Sequence, residues 1–227
     1  MIFKGIQKVS FIDYPEKISC VLFTGGCNFR CRYCHNPELV IGYEDLPDIT
    51  EDFVFDYLER RKNLLDAVVV CGGEPTLHKD LPDFLKKVKE KGFLTKLDTN
   101  GTNPEMIEKC LPYLTYIAMD VKASPDRYSE AVGVKVDLSK IEESINIVKN
   151  SGKNYEFRLT LFPYFFKIED AYKLEKWLKD AELVVIQKPQ TVKTLDPSIK
   201  EARLFKDEEL EEIKKIINKF VKKCIIR

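Results

Sequence analysis

The chain has no long hydrophobic run, no net charge and almost no glutamine, and each shortage narrows what it can be. No apolar stretch approaches the ~20 residues that a membrane-spanning helix needs, so no such helix is expected. Lys and Arg number 37 and so do Asp and Glu; no global field therefore draws in nucleic acid or an anionic membrane. The opening residues Met1-Ile2-Phe3-Lys4-Gly5 lack the basic stretch and apolar segment of a secretory leader, and a cytoplasmic location is expected. Glutamine is confined to Gln7, Gln187 and Gln190 while charged residues reach 33%, a weak lean toward a heat-adapted source. There is no low-complexity segment and no repeat at a solenoid period. What the chain does have is 44% apolar residues over 227 positions, enough for one sizeable core, and a single domain spanning 1–227 is expected.

It also has seven cysteines, an odd number that argues against a disulfide framework. Three of them fall within Cys27-Asn28-Phe29-Arg30-Cys31-Arg32-Tyr33-Cys34. In a reducing compartment such clustering points to metal or redox chemistry, and three soft thiolates on one loop can hold a metal while leaving a coordination position open. A four-iron cluster on Cys27, Cys31 and Cys34 would have one iron free for an exogenous ligand. Three alternatives stand beside it: zinc on the same thiols with His35, a poor tetrahedral geometry; an electron-transfer cluster with a distant fourth Cys; and unligated core cysteines, which the Arg, Asn and Gly of the loop disfavour. Cys20 and Cys71 lie in apolar runs where a thiol serves as a small hydrophobe, and Cys110 and Cys224 are read as structural too.

Short β-branched and apolar runs over residues 18–23, 67–71, 93–98, 116–121, 155–162 and 183–186 read as strands buried on both faces, as a parallel sheet requires. Helical segments alternate with them. Thr50 followed by two acids opens 53–65, Asp80 opens a helix closed at Gly92, and Asn103-Pro104 caps another. Ser139-Lys140-Ile141-Glu142 reads as a capping box, and 168–181 and 206–227 as the last helices. Six βα units without a composition break predict an α/β fold, a partial (βα)6 TIM-like barrel, since eight units usually need ~250 residues. Residues 1–17 read as an N-terminal strand or hairpin, and 188–205 as a long functional loop. The residues after the strand ends, Gly-Gly-Cys, Gly-Gly-Glu-Pro, Asp-Thr-Asn-Gly and Asp-Val-Lys, are those expected to carry function.

A C-x3-C-x2-C loop after the first strand, with an aromatic before the last Cys, resembles the radical S-adenosylmethionine (SAM) superfamily. Gly72-Gly73-Glu74-Pro75 is similar to that superfamily's second-strand motif. A closer resemblance is to activating enzymes of glycyl radical enzymes, especially those of anaerobic ribonucleoside-triphosphate reductase. It rests on Gly5-Ile6-Gln7-Lys8, Asp13-Tyr14-Pro15, the stretch 23–37 with Cys34-His35-Asn36-Pro37, Leu97-Asp98-Thr99-Asn100-Gly101, Ala118-Met119-Asp120-Val121-Lys122 and Glu156-Phe157-Arg158. No Cys occurs between residues 35 and 70, so the resemblance is to the branch with a single cluster.

The resemblance implies a [4Fe-4S] cluster on Cys27, Cys31 and Cys34, and SAM on its open iron. Reductive cleavage would yield a 5′-deoxyadenosyl radical that takes a hydrogen atom from a glycine of a partner enzyme. Gly72, Gly73, Glu74 and Pro75 would hold the methionyl amino group. Asp98, Thr99, Asn100, Lys122, Arg158 and Tyr33 would complete the cofactor site, and Asp98 with Asp120 would flank a monovalent cation. Against these roles stand a structural turn at 98–100 and ion pairs among Asp98, Asp120, Lys122 and Arg158. The aromatic run 162–166 is assigned to the core or rim, with a substrate groove as the alternative. The expected partners are a glycyl radical enzyme, most simply the anaerobic reductase, and a reductant such as flavodoxin or ferredoxin. Competing readings are a pyruvate formate-lyase-type activase, a small-molecule enzyme like 7-carboxy-7-deazaguanine synthase, and an electron carrier without turnover.

Overall fold

The β-branched runs become strands whose two faces are covered by different things, and that difference places the site. In the computed structural model, which describes residues 1–227, the chain opens with β1 (Ile2–Phe3), β2 (Gly5–Tyr14) and β3 (Lys17–Thr24). There follow β4 (Ile49–Thr50), α1 (Glu51–Arg60), β5 (Ala67–Gly72), α2 (Leu81–Glu90), β6 (Leu94–Thr99), α3 (Pro104–Cys110) and β7 (Tyr116–Asp120). Next come α4 (Tyr128–Val132), α5 (Leu138–Asn150), β8 (Asn154–Thr160), α6 (Asp170–Lys173), α7 (Glu175–Leu178), β9 (Val184–Gln187), α8 (Asp207–Ile217) and β10 (Cys224–Ile226).

The main sheet has the order β10-β9-β8-β7-β6-β5-β3-β2. Every pairing in it is parallel except the N-terminal hairpin of β2 on β3. Its outer strands do not pair with each other, so the barrel is partial and open. All six predicted βα units are present. No helix is long and apolar enough to cross a membrane.

Strand alternation sorts the side chains. Val68, Val70, Leu97, Ile117, Met119, Phe157 and Leu159 join the large core between sheet and helices. On the other face, Tyr14, Val21, Ala67, Val69 and Tyr116 form a small separate plug. The register carries that inner face upward: Lys96 pairs with Tyr116, Asp98 with Ala118, Ala118 with Glu156, and Asp120 with Arg158. The barrel interior is therefore apolar at its base and charged above.

The structure corrects several local expectations. The segment 206–227 is not one helix: α8 ends at Ile217 and the chain adds β10, parallel to β9. Residues 168–181 form two short helices, because bonds from Leu174 N to Ala171 O and from Trp177 N to Leu174 O tighten the turns to three residues. The cap of α5 is Asp137, whose carboxylate accepts from the Ser139 amide and hydroxyl, so Ser139 lies inside the helix. Helix α1 starts at the predicted Thr50 cap but stops at Arg60.

Candidate active site

Parallel strands bring their C-terminal ends to one rim, and the loops that follow share it. A cavity of about 290 Å³ opens there, lined by Cys27, Cys31, Tyr33 and Cys34 after β3, and by Gly72, Gly73 and Glu74 after β5. Asp98 and Thr99 at the end of β6 with Asn100 just past it, Asp120 at the end of β7 with Lys122 beyond, and Arg158 from β8 also line it. Of the expected site residues only Pro75 stands outside it. Pro75 is buried and opens a short 3-10 turn that Glu74 caps.

The loops are locked together by backbone contacts that need glycine. A Cβ on Gly73 would lie 1.9 Å from the carbonyl oxygen of Gly26, and one on Gly72, at φ +119°, would lie 2.4 Å from the Thr24 amide. This closeness lets Gly73 N donate to Thr24 O and Glu74 N to Gly26 O, at 2.9 and 2.8 Å. His78 Nε2 contacts the Gly25 carbonyl at 3.0 Å and steadies the same exit.

Glu74 is the hub of the rim. Its side chain is buried and accepts from Thr76 N and Oγ1, Thr99 Oγ1 and Asn100 N, at 3.1, 2.6, 2.7 and 2.7 Å. Burial pushes the carboxyl above its ordinary value, and these donors pull the other way. Asn100 extends the weave: its Nδ2 donates to Asn28 Oδ1 at 2.8 Å, while Asn28 Nδ2 donates to Thr102 Oγ1 at 2.8 Å. Asn28, not singled out in the sequence, thus ties the cysteine loop to β6.

The charged floor is a chain of ion pairs. Lys96 Nζ lies 2.6 Å from Asp98 Oδ1, Arg158 bridges Asp98 Oδ2 at 2.6 Å and Asp120 Oδ1 at 2.8 Å, and Lys122 Nζ reaches Asp120 Oδ2 at 2.8 Å. Ala118, the register partner of Asp98, has no side chain long enough to separate these groups. Burial alone would raise the Asp120 carboxyl, but Arg158 and Lys122 hold it far below the usual range. Lys122 and Arg158 are correspondingly raised against their own burial, chiefly by Asp120. Lys122 and Arg158 are the two cations that line the cavity, beside the carboxylates of Asp13, Glu74, Asp98 and Asp120. All four oxygens of Asp98 and Asp120 are already paired with cations of the chain itself.

Lys96 and Glu156 are interior charges that the sequence reading missed. Glu156 is buried and accepts from Tyr116 Oη and Arg227, each at 3.2 Å. The available signal was alternation: each stands two residues before an interior charge, Asp98 or Arg158, so all four share one strand face. Cys71 also lines the cavity, beside Asp98 and Lys96 rather than beside the other thiols.

Around the cysteines the wall is apolar. Phe29 and Tyr33 are buried, Tyr33 stacks on Phe162 at 6.1 Å with 10° between planes, and Phe165 packs at 5.8 Å. The aromatic run is mostly core, since Phe162, Phe165 and Phe166 are buried and only Tyr164 faces outward. The Tyr33 hydroxyl is buried without a partner. Burial pushes the Cys31 thiol up to about 12 and the Cys27 thiol up to about 11. The Phe29 amide donates to Cys27 Sγ at 3.4 Å, and the Asn36 amide favours the Cys34 thiolate.

These features fit the groups that the resemblance implies. The thiols line one cavity, yet no three His, Cys, Asp or Glu side chains converge on one point as a single ion would require. A cube of iron and sulfur takes its thiolates from separate corners. Amide donors to the sulfurs and an apolar surround are the means by which proteins tune such clusters. The glycine cradle, the Lys122 ammonium and the unpartnered Tyr33 hydroxyl offer an amino-acid cofactor backbone, charge and hydrogen-bonding complements.

Comparison with known proteins agrees. The family model of the Radical SAM superfamily matches residues 21–178. A Methanocaldococcus jannaschii protein provisionally named as a glycyl-radical enzyme activating enzyme is 37% identical over 231 residues, covering 98% of this chain and 94% of its own. The pyruvate formate-lyase-activating enzyme of Clostridium pasteurianum is 30% identical over 234 residues, covering 78% of this chain and 96% of its own. Among solved structures, QueE from Escherichia coli covers 100% of this chain and 93% of its own with a TM-score of 0.59 at 13% identity, a likeness of fold.

Proposed function

The chain belongs to the radical SAM superfamily and, within it, to the glycyl-radical enzyme activating enzymes, and we propose that it generates the glycyl radical of an anaerobic ribonucleoside-triphosphate reductase. The observation that carries the reading is the meeting, in one cavity, of the three thiols of the C-x3-C-x2-C loop, the Gly72-Gly73-Glu74 cradle and the ion-paired Lys122 and Arg158. The reductase as partner is supported by the resemblance of Asp13-Tyr14-Pro15, Cys34-His35-Asn36-Pro37 and Leu97-Asp98-Thr99-Asn100-Gly101 to its activases.

In this reading Cys27, Cys31 and Cys34 would hold a four-iron cluster, with SAM bound beside it. Bound together, the reduced cluster and SAM supply one-electron cleavage of a carbon–sulfur bond and abstraction of a hydrogen atom. The chain's own residues bind, orient and exclude water. Gly72 and Gly73 present backbone to the methionyl amino group. Glu74, with its oxygens engaged by Thr76, Thr99 and Asn100 and its amide by the Gly26 carbonyl, acts by fixing three loops more than by direct contact. Lys122, anchored on Asp120, attracts the methionyl carboxylate, and Arg158 holds Asp98 and Asp120 in place. A monovalent cation between those carboxylates would have to displace Arg158, Lys96 or Lys122, so it is left out of the scheme. Phe29 and Tyr33 keep water from the cluster.

The open sheet, with β2 and β10 unpaired at its ends, admits a segment of a protein substrate. A flavodoxin or ferredoxin is the proposed electron source. A pyruvate formate-lyase-type partner is the second reading, favoured by the similarity to the Clostridium pasteurianum enzyme. Anaerobic incubation of the reduced protein with SAM and either the reductase or the lyase separates them. The proposal expects a glycyl radical EPR signal on the reductase; a signal on the lyase alone transfers the assignment, and none on either overturns it.

A further inference from the structure

The two halves of the cysteine loop are held by different parts of the molecule. Its first half is tied to the loops after β5 and β6, through Gly26 with Glu74 and Asn28 with Asn100. Its second half, which carries Cys31 and Cys34, is held from residues 188–205. There Leu195 N donates to the Cys34 carbonyl at 2.9 Å and Asp196 N to the Arg32 carbonyl at 3.0 Å. These are the carbonyls on either side of Tyr33, whose ring is stacked inward on Phe162.

Side chains reinforce the contact. Arg32 Nε donates to Asp196 Oδ2 at 2.6 Å and Nη2 to Ser198 Oγ at 3.2 Å, and its guanidinium lies 4.9 Å from the centre of the Tyr164 ring. Lys193 meets Glu38, just past the loop, at 2.8 Å. On the other side Asp196 caps the turn Pro197–Glu201 through the Ser198 amide, and that turn is anchored by the buried Ile199. The pair therefore joins the second half of the cysteine loop, whose start is tied by Arg30 N to the Val132 carbonyl at 2.8 Å, to a turn anchored in the core.

We propose that Arg32 and Asp196 form a latch that positions Cys31 and Cys34, so that residues 188–205 act as a strap over the cysteine loop and retain the metal. Neither residue lines the cavity. Both are positioning residues that act through the peptide carbonyls of the ligand-bearing loop. An Arg–carboxylate pair whose side chains are 35% and 31% exposed adds little global stability, so its effect should be confined to the loop it holds. Supporting groups behind metal ligands commonly change metal retention by roughly tenfold or more. The inference rests on the proposed cluster for its iron readout but not for its thiol readout.

The test compares wild type with Asp196→Ala, Arg32→Ala, the double variant and Asp196→Glu. In the metal-free reduced protein, alkylation is followed at each cysteine by peptide mass spectrometry. The latch predicts that Cys31 and Cys34 react roughly tenfold faster in Asp196→Ala and Arg32→Ala. Cys27 and the thermal midpoint should not change, the double variant should be no faster than either single one, and Asp196→Glu should restore slow reaction. In the reconstituted protein, iron transfer to a chelator should accelerate in the same variants. Unchanged rates at Cys31 and Cys34, or equal acceleration at all three thiols with a lower midpoint, overturns the latch. A wild-type protein that takes up no iron but shows the selective alkylation refutes the cluster assignment and leaves the latch standing.

Discussion

At the scale of single residues, the site is an exercise in burying charge. Arg158 stands between two carboxylates that would otherwise repel, and it is tied to both by short hydrogen bonds. Breaking a buried pair by removing one member typically costs about 3–5 kcal/mol, because the remaining charge is stranded. Lys96 and Lys122 stay behind to neutralise part of it, so Arg158→Met is expected to cost about 3 kcal/mol at neutral pH in urea unfolding. The pH dependence has a definite sign. The Asp120 carboxyl is depressed in the folded protein, so its stabilisation is complete above the unfolded value near 4 and fades as pH falls toward the folded one. The penalty of Arg158→Met should therefore shrink as pH is lowered from 5 to 3; a constant penalty would mean that the pair is not what Arg158 contributes.

At the scale of elements, what could be read from the sequence was set by how much each segment decides locally. The six strands were legible because β-branched runs ending in glycine or charge leave few alternatives. The cysteine loop and Gly72-Gly73-Glu74 were legible because spacing alone carries their chemistry. Strand β10 was not: Cys224–Ile226 is three residues long, and its apolar character comes equally well from the end of an amphipathic helix. Only pairing with β9 makes it a strand. Lys96 was hidden for a related reason, since a lysine inside a strand reads as exposed until the sheet closes around the face it shares with Asp98.

Glu74 shows the same limit, because its side chain joins the loops after β5 and β6 through Thr76, Thr99 and Asn100 while its amide joins the cysteine loop at Gly26, so its role depends on three loops meeting. That meeting is directly testable at Gly73, where a methyl group would strike backbone rather than a movable side chain. Gly73→Ala is expected to destabilise by about 1–3 kcal/mol through overpacking. It should also lower iron retention, since the strike falls on the exit of the cysteine loop. Wild-type iron retention in that variant would show that the two loops are not mechanically joined.

At the scale of the whole molecule, an open barrel of parallel strands delivers one functional group per strand end to a common rim. The apolar plug of Tyr14, Val21, Ala67, Val69 and Tyr116 closes the base; the ion-pair chain forms a floor above it, and the cysteine loop closes the top. One cavity thus has a thiol wall, a backbone cradle and an ion-paired floor, the arrangement that the proposed cluster with one open iron and an amino-acid cofactor would use together. The account stands or falls on that open iron. The most direct measurement is EPR of the anaerobically reconstituted, reduced protein, with about four irons per chain, recorded with and without SAM. The account predicts that SAM alters the cluster signal, that 5′-deoxyadenosine accumulates, and that Cys31→Ala abolishes both. A cluster signal indifferent to SAM, with no 5′-deoxyadenosine formed, would contradict it.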